Sequence, residues 1–469
     1  GLGIGAFSFL CALLITWVLL KPMKNFIARV KTIPAVSRQG NGTNKGKGDD
    51  LKEFNVVFEQ VSDLLSKVEG KVLFPEFIGQ GKRIRILFNQ IMMIRAEDRT
   101  HPVISGMHGL APEGTWSIDD QAELTDVLTT HPYPVFTPHC DQDPVNTIRT
   151  IMHSTAESRL YADIGGKPCL CQEIGTLGPV IAGEAVAADF IRACLFSLWA
   201  NDCHGLVWWC AHEQSELTHA PYDWHAVERE LGLLRVDKSP KPVMETIGRF
   251  RRMLEGLPFR SLPPRTTEAV CILTQGQDPW GVAYSAGVLA KQAGFDLQYQ
   301  YATQPIRNAA LYLLPCLSGH AMIPLRRLTE LLEKVQAGAT LYISLDSGLP
   351  SSFEPIVGLE PQTRERRREF GPIALDGIEG APTIPTGGAF RVRFSPTRAE
   401  VLGSEPDGGP AFSLAAYGRG RVYFLSVPME VTLTRTPGAF HAQDAPECWR
   451  VYRASTPERP VRGTRPGCG

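Results

Sequence analysis

Lys167-Pro168-Cys169-Leu170-Cys171-Gln172-Glu173-Ile174-Gly175 is the stretch whose reading decides the fold. It reads as a short buried strand that delivers one carboxylate and stops at a glycine. A second strand of the same kind follows at Gly205-Leu206-Val207-Trp208-Trp209-Cys210. A third precedes it at Val127-Leu128-Thr129-Thr130-His131-Pro132-Tyr133-Pro134. Helical segments are predicted between them, at 146–160 and 184–199, and another at 243–257. A His/Tyr pair, a carboxylate and a Trp at successive strand ends predict an α/β chain with one site on a β/α barrel. Such sites lie at the C-terminal ends of the strands. Trp208 and Trp209 are adjacent, so they point to opposite faces of their strand.

These motifs resemble the retaining glycoside hydrolases of clan A, especially family 5 mannanase-like enzymes, over 97–257. The resemblance implies that Glu173 is the nucleophile. It implies that His131 and Tyr133 follow strand six as substrate and nucleophile contacts, and that one of Trp208 and Trp209 is a sugar platform. His139, in Phe136-Thr137-Pro138-His139-Cys140-Asp141, lies in a loop over the site, as a sugar contact or part of a solvated turn. Glu213, in the loop after Trp209, is the best remaining carboxyl partner for substrate binding. Retaining hydrolysis needs two carboxyl groups about 5–5.5 Å apart. In the family the acid/base is a Glu in an Asn-Glu pair after strand four, and this sequence contains no Asn-Glu pair. The match starts near Arg99-Thr100-His101-Pro102-Val103-Ile104-Ser105-Gly106, which reads as strand five. The expectation is therefore a partial (β/α)8 barrel of about strands 5–8.

Upstream the pattern changes. Residues 1–20 carry no charge, and Lys21, Lys24, Arg29 and Lys31 follow before any acidic residue. Such a run is long enough to cross a bilayer core of about 30 Å. Its basic flank places the following segment in the cytoplasm. This reading predicts a single-pass inner-membrane anchor; a cleaved signal peptide or a buried helix is the alternative. After a Gly-rich linker, Leu51, Phe54, Phe58, Val61, Leu65 and Val68 mark a heptad seam. The span and seam together resemble a HAMP signalling linker over 21–70. Phe74-Pro75-Glu76-Phe77-Ile78-Gly79-Gln80-Gly81 resembles the entry to the AAA+ domain of sigma-54-dependent activators, over 71–96. Gly79-Gln80-Gly81-Lys82 lacks the Ser/Thr and the glycine spacing of a phosphate loop, so no ATPase and no nucleotide cofactor are expected. The chain reads as a junction of two truncated genes.

Downstream, strands are predicted at 269–274, 295–301, 309–315 and 340–345, with helices at 283–293 and 324–337 and a late strand at 418–426. This alternation gives a parallel sheet with right-handed crossovers. The region 267–432 resembles the flavodoxin-like, class I amidotransferase-like trimerisation domain of family 42 β-galactosidases, which implies a homo-oligomer. Cys316, in Leu314-Pro315-Cys316-Leu317, lacks the glycine that precedes an elbow nucleophile and reads as a structural thiol. From 433 to 469 the pattern is poor in apolar periodicity and reads as a truncated or disordered tail.

Composition sets the outer bounds. The chain has 469 residues, 43% hydrophobic and 21% charged, with a net charge of −1, so nothing favours nucleic acid as a partner. Its 11 cysteines have no Cys-x-x-Cys spacing and read as free thiols, not as a metal site. The function expected is hydrolysis of β-mannoside- or β-galactoside-type bonds, impaired by the missing acid/base half and without a cofactor. The alternative is a non-catalytic membrane-anchored signalling or vestigial fusion protein.

Overall fold

The computed structural model describes residues 90–104, 106, 117–220, 222–259 and 261–457. The expected membrane span 1–20, the linker and heptad helix 21–70, most of the segment 71–96, and the tail beyond 457 lie outside the described residues. Among the described residues no helix is long and apolar enough to cross a membrane.

The segment around Glu173 is a strand, β2 (Cys169–Ile174), flanked by β1 (Leu128–Thr130) and β3 (Leu206–Trp208). All three are parallel, in the order β1-β2-β3. Leu128 pairs with Cys169, Thr130 with Cys171 and Ile174 with Trp208. This register brings the three C-terminal ends to one edge. The expected fifth strand is reduced to a single parallel bridge between Ile104 and Val127. The connecting helices are α1 (Ile118–Leu124), α2 (Ile148–Gly165) and α3 (Glu184–Ala200). Ser117 caps α1 through a capping box with Asp120, as its position predicts. Phe190, Ile191, Cys194 and Leu198 of α3 pack with Cys171, Ile174 and Trp208. Full burial of such a side chain contributes about 1.5–3 kcal/mol. A short helix, α4 (Ala226–Arg229), and α5 (Pro242–Glu255) follow β3.

The C-terminal domain is a nine-stranded sheet. Its parallel part comprises β4 (Ala269–Leu273), β5 (Leu297–Tyr301), β6 (Leu311–Leu317), β7 (Thr340–Leu345) and a late strand, β14 (Gly420–Leu425). Their order across the sheet is β5-β4-β6-β7-β14, a flavodoxin-like order. Helices α6 (Pro279–Ala293) and α7 (Leu325–Gln336) make crossovers, and a short α8 (Phe353–Val357) follows β7. Between α8 and β14 the chain builds six strands that the sequence reading did not find. β8 (Leu359–Arg366) pairs antiparallel with β11 (Phe390–Pro396) in a separate two-stranded sheet. The other four are β9 (Ile373–Ala374), β10 (Thr383–Ile384), β12 (Glu400–Ser404) and β13 (Pro410–Tyr417); they extend the main sheet antiparallel. Arg364, Glu365 and Arg366 occupy β8, and such a charged, exposed strand carries no alternating apolar signal.

The tail expectation fails for 433–457. Two helices, α9 (Met429–Thr434) and α10 (Trp449–Ala454), close the domain, and Val451 and Tyr452 are fully buried. Tyr452 stacks on Phe295 with centroids 6.3 Å apart. The apolar residues here are few and are buried by distant partners, so no local period marks them.

The three-stranded sheet with its helices and this domain pack together through α2. Its Ala156, Leu160, Tyr161 and Ile164 share one core with Ala283, Tyr284 and Leu297. Arg149 is fully buried and pairs with Asp143. It donates to the carbonyls of Thr434 at 2.8 Å and Thr436 at 2.6 Å. A buried guanidinium is tolerated only when it is paired and hydrogen-bonded in this way.

Candidate active site

At the shared strand edge, β1 delivers His131 and Tyr133, β2 delivers Gln172 and Glu173, and β3 delivers Trp208 and Trp209. The Tyr133 hydroxyl donates to Glu173 Oε2 at 3.1 Å. His131 Nδ1 stands 3.6 Å from the same oxygen, and its Nε2 meets Gln172 Oε1 at 3.1 Å. The Glu173 side chain keeps 31% of its surface exposed, so acceptor capacity remains open toward solvent. Burial pushes the Tyr133 phenol well above its usual range, followed by the charge of Glu173, their hydrogen bond, and the charge of Glu228. The phenol therefore stays protonated and remains a donor to the carboxylate. Gly175 closes the strand where a Cβ would lie 3.1 Å from the Trp209 carbonyl and 3.5 Å from the Tyr133 ring. The glycine lets the two strand ends approach.

The two tryptophans divide as alternation requires. Trp208 is 8% exposed and donates its indole N–H to the Leu231 carbonyl at 3.0 Å, so it belongs to the core. Trp209 is 38% exposed, and its indole N–H points to Glu228 Oε2 at 3.4 Å. A cavity of about 50 Å³ lies behind Trp208, beside Thr176 and Lys241. It is too small for a sugar ring.

Two expected contacts are placed elsewhere. His139 Nε2 lies 2.5 Å from Asp278 Oδ2, the N-cap of α6 in the C-terminal domain. It therefore pins the two domains together instead of reaching into the cleft. Glu213 Oε1 pairs with Lys241 Nζ at 2.5 Å, and its Oε2 accepts from the Val236 amide at 3.2 Å. Its charge is neutralised within the loop layer, not presented to Glu173. The carboxyl that the sequence reading missed is Glu228. It sits in the charged run Val227-Glu228-Arg229-Glu230, where nothing local separates it from a solvated helix face.

No family model matches the chain, and no curated protein matches it. Solved structures do. An exo-β-1,4-mannosidase, Op5Man5, from Opitutaceae bacterium strain TAV5 superposes with a TM-score of 0.63 at 21% identity, over 80% of this chain and 70% of that one. A GH42 β-galactosidase from G. stearothermophilus gives a TM-score of 0.57 at 13% identity, over 77% of this chain and 56% of that one. A β-galactosidase from Halorubrum lacusprofundi gives 0.56 at 15% identity, over 77% and 57%. The chain thus spans little more than half the length of these β-galactosidases. The fold resembles that of glycoside hydrolase β/α domains.

Proposed function

We propose that the cleft carries out the first half of retaining β-glycoside hydrolysis on a β-mannoside- or β-galactoside-type substrate. A Glu173 oxygen attacks the anomeric carbon and forms a glycosyl ester as the leaving oxygen departs. Tyr133 and His131 hold the carboxylate in place, and the exposed face of Trp209 takes the CH groups of the sugar. The observation that carries this reading is the Tyr133 hydroxyl on Glu173 Oε2 at adjacent strand ends. The sequence has no Asn-Glu pair, so protonation of a poor leaving group lacks its usual donor. General acid/base help is typically worth about 10²–10⁴-fold. Natural glycosides are therefore expected to turn over very slowly, while activated aryl glycosides and fluoro-sugar inactivators still react. The same lack supports a second reading, a non-catalytic fusion protein. The test is mass spectrometry after incubation with a 2-fluoro-glycosyl inactivator. Label on the Glu173 peptide, lost in Glu173→Gln, supports the proposal. Label that persists in Glu173→Gln, no label at all, or robust hydrolysis of an unactivated disaccharide sinks it.

A further inference from the structure

Glu228 stands beside Trp209 with no part in the chemistry above. Its carboxylate is anchored by one oxygen only, Oε2, on the Trp209 indole N–H at 3.4 Å. Among the described residues no Lys or Arg pairs with it. The backbone that carries it is tied down at three points. Arg229 O accepts from the Gln214 amide at 2.8 Å, Glu230 O from Lys241 Nζ at 2.7 Å, and Leu231 O from the Trp208 indole at 3.0 Å. The same segment rests on the loop after β2, where a Cβ on Gly178 would meet Val227 O at 3.7 Å. Glu228 is thus held at a set height above the strand ends. The Trp209 amide in turn donates to the Ile174 carbonyl at 2.9 Å, so the residue that holds Glu228 sits beside the end of β2 that carries Glu173.

An exposed aromatic face beside a carboxylate oxygen with open lone pairs is a pair suited to a sugar ring. The face packs against CH groups, and the oxygen accepts hydroxyl hydrogen bonds at roughly twice the strength of neutral ones. Glu213, consumed by Lys241, offers no such acceptor. We propose that Trp209 and Glu228 form a hydroxyl-reading subsite beside Glu173, with Glu228 Oε1 accepting from a hydroxyl of the bound sugar. This rests on the reading of the cleft as a glycoside site. Glu228 is here a specificity residue and makes no bond to the anomeric centre.

The test is equilibrium binding to the full chain in a Glu173→Gln background. Methyl β-D-mannopyranoside and methyl β-D-galactopyranoside, with their monodeoxy analogues, are titrated against tryptophan fluorescence and saturation-transfer NMR. Glu228→Gln should weaken the preferred glycoside on the order of 10-fold, as loss of a charged hydrogen bond does. One deoxy analogue, lacking the hydroxyl that Glu228 reads, should bind both proteins equally. Glu216→Gln, an exposed change in the neighbouring loop, should alter nothing. Unchanged affinity in Glu228→Gln, a uniform loss across every deoxy analogue, or no saturable binding of either glycoside overturns the subsite. Glu228-dependent binding in a protein whose Glu173 is never labelled would sink the hydrolytic reading and keep the subsite. Labelling with Glu228-independent binding would do the reverse.

Discussion

Glu173 and Glu430 show how differently the two parts of this molecule use a carboxylate. Glu173 has one firm donor, Tyr133, and about a third of its side chain open to solvent. Glu430, at the start of α9, is 0% exposed and takes four donors. They are Ser344 Oγ at 2.7 Å, Tyr342 OH at 2.9 Å, Tyr452 OH at 3.1 Å and Cys316 Sγ at 3.2 Å. A carboxylate has about four acceptor positions. Glu430 fills them from the protein, and Glu173 leaves most of them for something that arrives. A satisfied buried carboxylate stabilises, whereas a half-satisfied one at a cleft is available to react. The same contrast disposes of Cys316. Its backbone is in the left-handed region, at φ 50°, as at an elbow, but the thiol is buried. Burial first, and then the charge of Glu430, push it far above the usual thiol range. It stays a thiol and serves as a donor.

Exchanging the burdens of the two residues is the strongest way to break this comparison. Glu430→Ala would strand four buried donors and is expected to cost about 4 kcal/mol of stability. Glu173→Gln should stay within about 1 kcal/mol of the parent. Urea unfolding of both variants decides it, and equal losses would dissolve the distinction. A smaller effect is expected at the one firm donor of Glu173. Tyr133→Phe removes a hydrogen bond to a charged group, worth about 1.5–3 kcal/mol. The rate of Glu173 labelling should therefore fall on the order of 10-fold. Labelling at the parental rate would mean that the phenol does not position the carboxylate.

The smallest expected effect lies where the halves meet. Burial works upward on the Asp278 carboxyl, but its bonds to His139 and the Gly281 amide outweigh it, so its pKa is held below the usual value. A carboxyl depressed in the folded state contributes stability in full above its unfolded pKa of about 3.9. That contribution is lost as the pH falls through the lower folded value. Asp278→Asn should lower stability by about 1 kcal/mol at neutral pH and flatten the acid limb of the stability curve. An acid limb identical to the parent would remove Asp278 from the joint.

How much of this was legible follows from the range of each signal. β2 and the helix behind it could be read locally, because a buried strand is a continuous apolar run and α3 repeats its apolar residues at helical spacing. Tyr133 and Glu173 were legible as strand-end residues, since a polar group that terminates a buried strand stands out from it. Strands β8 to β13 were not. Their exposed faces carry Arg364, Arg393 and Glu400, and their buried residues are scattered over short segments. His139 was misread for a related reason. A polar loop residue looks the same whether it faces a ligand or, as here, an aspartate 139 positions away.

The sequence by itself determined the parallel strands of the two sheets, the two-faced assignment of Trp208 and Trp209, and the identity of the strand-end carboxylate. These depend on periods of two and 3.6 residues, which no distant contact alters. Tertiary structure alone decided that Trp209 is the exposed one, that Glu213 is neutralised by Lys241, and that Glu228 comes to Trp209. It also decided that the segment carrying α10, with Val451 and Tyr452 buried, is a folded closure and not a tail. Each of these depends on which polar or apolar group lies opposite another across long stretches of chain. Burial and charge pairing act through space, and composition along the chain does not record them.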